Sequence, residues 1–200
     1  MHPVSPPELR NRRAGFTLSE ILLAMLVFAI AISTILALLA RSIEAVDEIV
    51  LKDEAMRVSS AVEIAARSLS FNDFYTEVVS RSGTSSPMIV YAFSQRDVGP
   101  RAVFRSDNPV PPRYANLEPP IFLNTEQLRV AANQREGRIF KVTLTVSETN
   151  PAGNVNLPAN PDQYESAVVV VLADFHPVGN IETPVPGPRV AHSYHFAVRR

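Results

Sequence analysis

Residues 12–40 read RRAGFTLSEILLAMLVFAIAISTILALLA, a short basic string followed by a long apolar run. The run from Ile21 to Ala40 has no charged side chain, and Ser33 and Thr34 are its only polar members. A helix needs about 20 apolar residues to cross the hydrocarbon core of a bilayer. Hydroxyls such as those of Ser33 and Thr34 donate to carbonyls of their own helix, so they cost little in lipid. The run predicts a transmembrane helix, since lipid offers no partner for a free backbone amide.

An ordinary secretory signal is the main alternative for this run. Such a signal has an apolar core of roughly 7–15 residues, followed by small residues for cleavage. Here the run is longer, and the mixed sequence after it stays helical in pattern, with no Gly or Pro before Gly83. Apolar residues recur at helical spacing among acids and bases in Ile43, Val46, Val50, Val58, Val62, Ala65 and Leu69. We predict one helix from about Thr17 to about Leu69, roughly 80 Å long at about 1.5 Å per residue, with an amphipathic second half.

The residues before the apolar run predict a leader peptide. Met1–Gly15 is polar and has no apolar period. Its arginines, Arg10, Arg12 and Arg13, favour a cytoplasmic location for the leader by the positive-inside rule. Gly15 has no side chain, so a peptidase is able to approach the following bond closely. Cleavage at this position would remove the leader and leave the membrane helix in place.

Glu20 is an unusual residue because it places a carboxylate at the edge of a membrane segment. Ionisable groups in such positions are costly and mark function. After cleavage Phe16 would carry a free α-amino group, which the positive end of the helix dipole disfavours. Glu20 lies one turn further on, so it is predicted to neutralise the amine of Phe16 in its own chain or in a neighbouring subunit. In an apolar filament core an unpaired charge is strongly unfavourable, so this pairing would set the register between helices.

The string Gly15-Phe16-Thr17-Leu18-Ser19-Glu20 resembles the prepilin cleavage and methylation motif of type IV pilins and type II secretion pseudopilins. The resemblance implies cleavage after Gly15 by a prepilin peptidase, N-methylation of Phe16, and a role for Glu20 in subunit registry. It also implies a long N-terminal helix packed on an antiparallel sheet, with the helices of many subunits forming a filament core. Many major pilins have a proline near the middle of the membrane helix and a C-terminal disulfide. The region around Ala37 has no proline and the chain has no cysteine, which favours a minor pilin or pseudopilin.

The part of the chain after the helix predicts a β-rich head. Arg138–Ser147 and Val190–Val198 alternate apolar and polar residues, Ser166–Phe175 is rich in valine, and Pro87–Phe93 and Arg101–Phe104 are short strand candidates. Alternation of this kind is typical of an antiparallel sheet with one buried face, which the amphipathic stripe of the helix would cover. Thr125–Asn133 is predicted to form a short helix, and His176, before Pro177, to lie in a turn. The predicted fold class is α+β, pilin-like.

The expected organisation has four parts. They are a leader at 1–15, a membrane and polymerisation segment at 16–40, an amphipathic helix at 41–70 and a periplasmic head at 71–200. The predicted location is the bacterial inner membrane, crossed once, with the leader in the cytoplasm. The expected partners are a prepilin peptidase, the membrane and other pilin or pseudopilin subunits.

Other function classes find little support in the sequence. The net charge is −1 and no basic patch indicates nucleic acid. No nucleophile elbow, phosphate loop or thiolate metal site is present, so neither a catalytic site, a cofactor nor a metal is predicted. His192 and His195 would lie on opposite faces of a strand, which argues against a shared metal. The leading rival is a single-pass anchored binding or adhesion protein that never polymerises.

Overall fold

The computed structural model describes residues 16–81, 87–105, 114, 120–147, 157–158, 160–179 and 190–200. Within these ranges the helices are α1 (Leu18–Ser68), α2 (Phe71–Arg81) and α3 (Thr125–Asn133), with a short 3-10 helix at Pro161–Gln163. The strands are β1 (Met88–Gln95), β2 (Gly99–Arg105), β3 (Phe122–Leu123), β4 (Arg135–Val146), β5 (Val168–Val178) and β6 (His192–Arg199). This arrangement confirms the predicted α+β, pilin-like class.

Helix α1 is continuous over 51 residues, which confirms the single long helix predicted from the sequence. No glycine or proline lies between Phe16 and Ser82, so no residue here removes a backbone donor or weakens the helix. The chain divides into two compact units, Met1–Val46 and Asp47–Arg200. The finer boundaries predicted after Gly15, Ala40 and Ser70 stay predictions.

The six strands form one sheet in the order β3-β2-β1-β4-β5-β6. Neighbouring strands are antiparallel, apart from β2 and β3, which run parallel. The register places Val142 of β4 opposite Val90 of β1 on one side and opposite Phe175 of β5 on the other. Because alternate side chains of a strand share a face, this row puts three fully buried apolar side chains on one side of the sheet.

The main core lies between this face of the sheet and the helices α1 and α2. Val58 and Val62 of α1 and Phe74 of α2 are buried in the same cluster as Val142 and Phe175 of the sheet. Burying one such side chain contributes about 1.5–3 kcal/mol relative to leaving it exposed. The helix segment from Asp47 onward is therefore an integral part of the head.

A second, smaller core lies on the other face of the sheet. Leu128, Ala131 and Ala132 of α3 are buried in one cluster with Tyr91, Phe93, Val103, Leu123, Ile139 and Val178. The predicted helix at Thr125–Asn133 is confirmed, and it begins with a capping box between Asn124 and Gln127. The sheet is thus covered on parts of both faces, whereas alternation alone had predicted a single buried face.

Helix α2 is not among the predicted elements, because the predicted amphipathic stripe ends at Leu69. Phe71, Phe74, Tyr75 and Val78 are nevertheless spaced as one face of a helix, and all four are buried. The Ser70 side chain accepts a hydrogen bond from the Asp73 N–H at 3.3 Å, as an N-cap residue does.

The turn predicted at His176 was wrong, because β5 continues through Pro177 to Val178. Pro177 pairs with Phe140 of β4, whereas β6 begins only opposite Phe175. The proline therefore lies where β5 has a neighbouring strand on one side only, and a missing N–H is tolerated there.

Candidate functional site

The N-terminus of α1 carries a capping box formed by Thr17 and Glu20. The Thr17 N–H donates to Oε2 of Glu20 at 2.8 Å, and the Glu20 N–H donates to Oγ1 of Thr17 at 3.4 Å. The Thr17 hydroxyl donates to the same carboxylate oxygen at 2.9 Å. The first bond satisfies the Thr17 N–H, and the second supplements the bond that the Glu20 N–H donates to the Thr17 carbonyl at 3.1 Å. Glu20 therefore has a structural role within its own chain, in addition to the one predicted for it.

The sequence contains the signal for this capping box, since Thr17-Leu18-Ser19-Glu20 has the Ser/Thr-x-x-Glu spacing. The role predicted for Glu20 above is an ion pair between its carboxylate and the α-amino group of Phe16. In the unprocessed chain the Phe16 nitrogen belongs to a peptide bond, so that pairing concerns the processed chain and stays a prediction. Phe16 itself is 85% exposed.

The remaining predicted processing residues lie outside the part of the chain that the structure describes. They are Gly15 and the leader arginines Arg10, Arg12 and Arg13. Cleavage after Gly15 and the cytoplasmic location of the leader accordingly stay predictions.

The first part of α1 is long and apolar enough to cross a membrane, as judged by its length and composition. The hydroxyl of Ser33 donates to the Ala29 carbonyl at 2.8 Å, and that of Thr34 donates to the Ala31 carbonyl at 2.8 Å. Both polar side chains are thus satisfied within the helix, as predicted. Every side chain from Leu18 to Val50 is exposed. Within that range, Ile21–Ala40 therefore presents an uncharged, almost wholly apolar surface that the chain itself does not cover.

The second part of α1 is held on the head by a basic residue of β4. Nη2 of Arg138 lies 2.5 Å from Oδ1 of Asp47, and Nε of Arg138 lies 3.9 Å from Oε2 of Glu54. Partly exposed ion pairs of this kind contribute only about 0–1 kcal/mol each. Their effect is therefore mainly on orientation, because one planar guanidinium pairs with two carboxylates that lie about two turns apart on the helix.

A bulge in β4 allows this close approach. Between the pairs Ala92–Phe140 and Ser94–Glu136, β1 has one residue and β4 has three. Gly137 in this bulge has φ +81°, a conformation that glycine adopts without a steric penalty. A Cβ added at Gly137 would lie 2.8 Å from Oε1 of Glu54. The backbone conformation thus favours glycine here, and a larger residue would also displace the carboxylate end of the flexible Glu54 side chain.

A third contact joins α1 to the edge strand β6. The Tyr194 hydroxyl donates to Oε2 of Glu63 at 2.8 Å, and Glu63 pairs with Arg67 at 2.6 Å. Arg67 in turn donates to the Ala197 carbonyl at 3.2 Å. The hydrogen bond to Glu63, followed by burial, raises the pKa of Tyr194 above its ordinary value. Arg67 thereby occupies the Ala197 carbonyl on the edge strand β6. Because that carbonyl is occupied, β6 is less able to pair with a strand of another chain.

The histidines of β6 point in different directions, as predicted. His192 packs against Phe175, with ring centroids 5.9 Å apart, whereas His195 is exposed. Burial, followed by the charge of Lys52, lowers the pKa of His192 below its ordinary value. Among the described residues no group of three or more His, Asp or Glu side chains is placed to hold a metal ion.

Residues 10–40 match the family model described as the prokaryotic N-terminal methylation motif. This match supports a type IV pilin-like family, and it includes the exposed apolar part of α1 together with Gly15, Phe16 and Glu20. No curated protein and no solved structure matches the chain. The motif and the layout of a long apolar helix on a mostly antiparallel sheet indicate a structural protein of the pilin or pseudopilin kind.

Proposed function

We infer that this chain is a minor pilin or pseudopilin, a structural subunit of a type IV pilus-like or type II secretion filament. In this account a prepilin peptidase cleaves after Gly15 and methylates Phe16, and the processed chain remains in the inner membrane until it is assembled. The observation that carries the proposal is that the methylation motif leads directly into a helix whose uncharged apolar surface, Ile21–Ala40, is exposed throughout. Such a surface requires lipid or other helices around it.

The proposed mechanism is packing rather than catalysis. Apolar halves of α1 from several subunits would lie side by side, where dispersion contacts and close packing replace contacts with lipid. The carboxylate of Glu20 would pair with the methylated amine of Phe16, in its own chain or in the next subunit. That pairing would fix the register, because a displacement along the helix would leave both charges unpaired in apolar surroundings.

The capping box makes a sharp test of this mechanism possible. A glutamine at the third helical position also accepts the N-cap amide hydrogen bond, so Glu20→Gln keeps the cap and removes the charge. We expect the Glu20→Gln chain to be processed normally but to co-purify poorly with other pilin-like subunits in its own host. Glu20→Ala loses the cap as well and should show the same defect with a less stable helix start.

The matched control is Glu44→Gln, which removes an exposed carboxylate from the same helix outside the motif. It should be processed and should associate like the unaltered chain. If Glu20→Gln associates normally while Glu20→Ala does not, the residue acts only as a cap and the registry mechanism is wrong. If both variants behave like the unaltered chain, a non-polymerising anchored protein is the better description.

A further inference from the structure

A groove of about 390 Å³ lies on the face of the sheet that carries α3. Its apolar lining includes Leu123, Val130 and Ala131. Val130 is 51% exposed although it is apolar, and it forms part of the wall on α3. Small-molecule sites are concave, mostly apolar and about 300–1,000 Å³ in volume, with a few polar groups that fix orientation. The groove meets this description in size and lining.

The polar part of the groove is built around Arg101 of β2. Nη1 of Arg101 donates to Oε1 of Gln95 at 2.7 Å, and Nη2 donates to the Pro120 carbonyl at 3.1 Å. Gln95 is buried, and its Nε2 donates to Oε1 of Gln134 at 2.7 Å. The guanidinium is thus held by two neutral groups, and one of them, the Gln95 side chain, is itself held by Gln134. A guanidinium has five N–H donors, so these two bonds leave others for a ligand.

The charge of Arg101 has no carboxylate partner among the residues that the structure describes. The acid that lines the groove, Glu126, is paired with Arg129 at 2.6 Å. Burial lowers the pKa of Arg101, in keeping with a guanidinium that is partly removed from water. A desolvated cation of this kind is costly unless an anion accompanies it.

We propose that this groove binds a small carboxylate with an apolar body, oriented by charge-assisted hydrogen bonds from Arg101. The planar fork of a guanidinium matches the two oxygens of a carboxylate, and the partial burial of Arg101 favours such a charge-assisted contact. The apolar body of the ligand lies against Leu123, Val130 and Ala131. The site gives the head a ligand-binding role that goes beyond the proposed filament function and does not depend on it.

The test uses the full chain in nanodiscs and 4-phenylbutyrate as the probe, followed by calorimetric titration. Empty nanodiscs measure how much probe enters the lipid. The neutral amide of the same acid is the matched probe, since it keeps the apolar body and lacks the charge. We expect saturable binding of the acid and at least tenfold weaker binding of the amide, because a hydrogen bond between charged groups contributes more than a neutral one.

Two variants locate the site independently. Arg101→Gln removes the charge and should weaken binding of the acid at least about tenfold, with little change for the amide. Val130→Asp places a like charge on the exposed wall, where it disturbs no buried contact, and should weaken the acid similarly. Val190→Asp changes an exposed valine that does not line the groove, and it should bind the acid like the unaltered chain.

Three results would overturn the proposal. The first is the absence of saturable binding above that of empty nanodiscs. The second is equal binding of the acid and the amide, which would exclude a role for the charge of Arg101. The third is unchanged binding in Val130→Asp, which would place the probe elsewhere on the chain.

Discussion

The two halves of α1 share one backbone but differ in how their side chains are covered. From Leu18 to Val50 every side chain is exposed, whereas the segment after it buries Ala55, Val58, Val62, Ala65 and Ala66. Within the exposed part, Ile21–Ala40 has no charged side chain and is apolar on nearly all sides. The segment from Arg41 onward mixes charged and apolar residues and is apolar only along one stripe. A helix that is apolar all round needs a surrounding medium or partner outside the chain, whereas a striped helix is covered by its own domain. The same secondary structure thus serves assembly at one end and folding at the other.

The largest effects on head stability and on membrane insertion should come from placing an aspartate in one half of α1 or in the other. Val62→Asp puts an unpaired carboxylate at a fully buried position, and we expect the head to lose more than about 3 kcal/mol of stability. Val27→Asp lies in the exposed apolar half and should leave unfolding of the head unchanged. It should instead reduce membrane insertion, since an acid at the centre of a membrane helix costs about 2.5–3.5 kcal/mol.

Urea unfolding followed by near-UV circular dichroism measures the first effect, and the membrane-bound fraction of the expressed chain measures the second. Tyr75 and Tyr91 are buried and supply the dichroic signal of the folded head. A Val27→Asp variant that destabilises the head as much as Val62→Asp would remove the distinction between the two halves.

A smaller effect is expected where α1 meets the bulge of β4. Gly137→Ala forces a side chain into a left-handed conformation and places Cβ 2.8 Å from Glu54, so we expect a loss of about 1–3 kcal/mol. Gly179→Ala is the matched control, because its added Cβ would meet nothing within 4 Å and the residue has no positive φ. It should change the unfolding free energy by less than about 0.5 kcal/mol.

A double-mutant cycle with Glu54→Ala separates the two causes at Gly137. If the contact with Glu54 matters, Gly137→Ala should cost less in the Glu54→Ala background. Equal costs in both backgrounds would assign the whole effect to the backbone conformation. Equal stabilities of Gly137→Ala and Gly179→Ala would contradict both causes.

The smallest expected effect concerns the pH dependence of the head through His192. Burial and Lys52 lower the pKa of His192 in the folded head below the ordinary 6.5. As the pH falls below about 6.5, the unfolded chain binds a proton that the folded head disfavours, so stability declines. His192→Phe keeps the ring packing against Phe175 and lacks this titration. Its stability relative to the unaltered chain should therefore rise as the pH falls from 7.5 to 5, and parallel pH curves for the two would contradict the assignment.

Local patterns were sufficient to predict the parts of the fold that depend on a single segment. The unbroken run without glycine or proline predicted α1, and alternation around Phe140, Val142 and Leu144 predicted β4. Helix α2 has the same kind of signal in Phe71, Phe74 and Val78, but only two residues separate it from the end of α1, which hides its separate start. The capping box at Thr17 and Glu20 also has a signal in the sequence, the Ser/Thr-x-x-Glu spacing. The predicted pairing of Glu20 with an amine does not include it.

Features that depend on strand order were not predictable from the sequence. Gln95 and Arg101 belong to neighbouring strands of one hairpin, but Gln134 is distant from both along the chain. It meets them only because α3 ends beside the end of β1. The contact of Gly137 with Glu54 depends on the register of β4 against β1 and on how α1 packs over the sheet. Neither local propensity nor periodicity carries this information.

The central claim is that the exposed half of α1 belongs to a processed filament subunit. The most direct measurement is the N-terminal mass of the chain, expressed in its own host and extracted from membranes. The account predicts a chain that begins at methylated Phe16. An intact leader, in a host whose prepilin peptidase is active on another substrate, would contradict the account and indicate a plain membrane anchor.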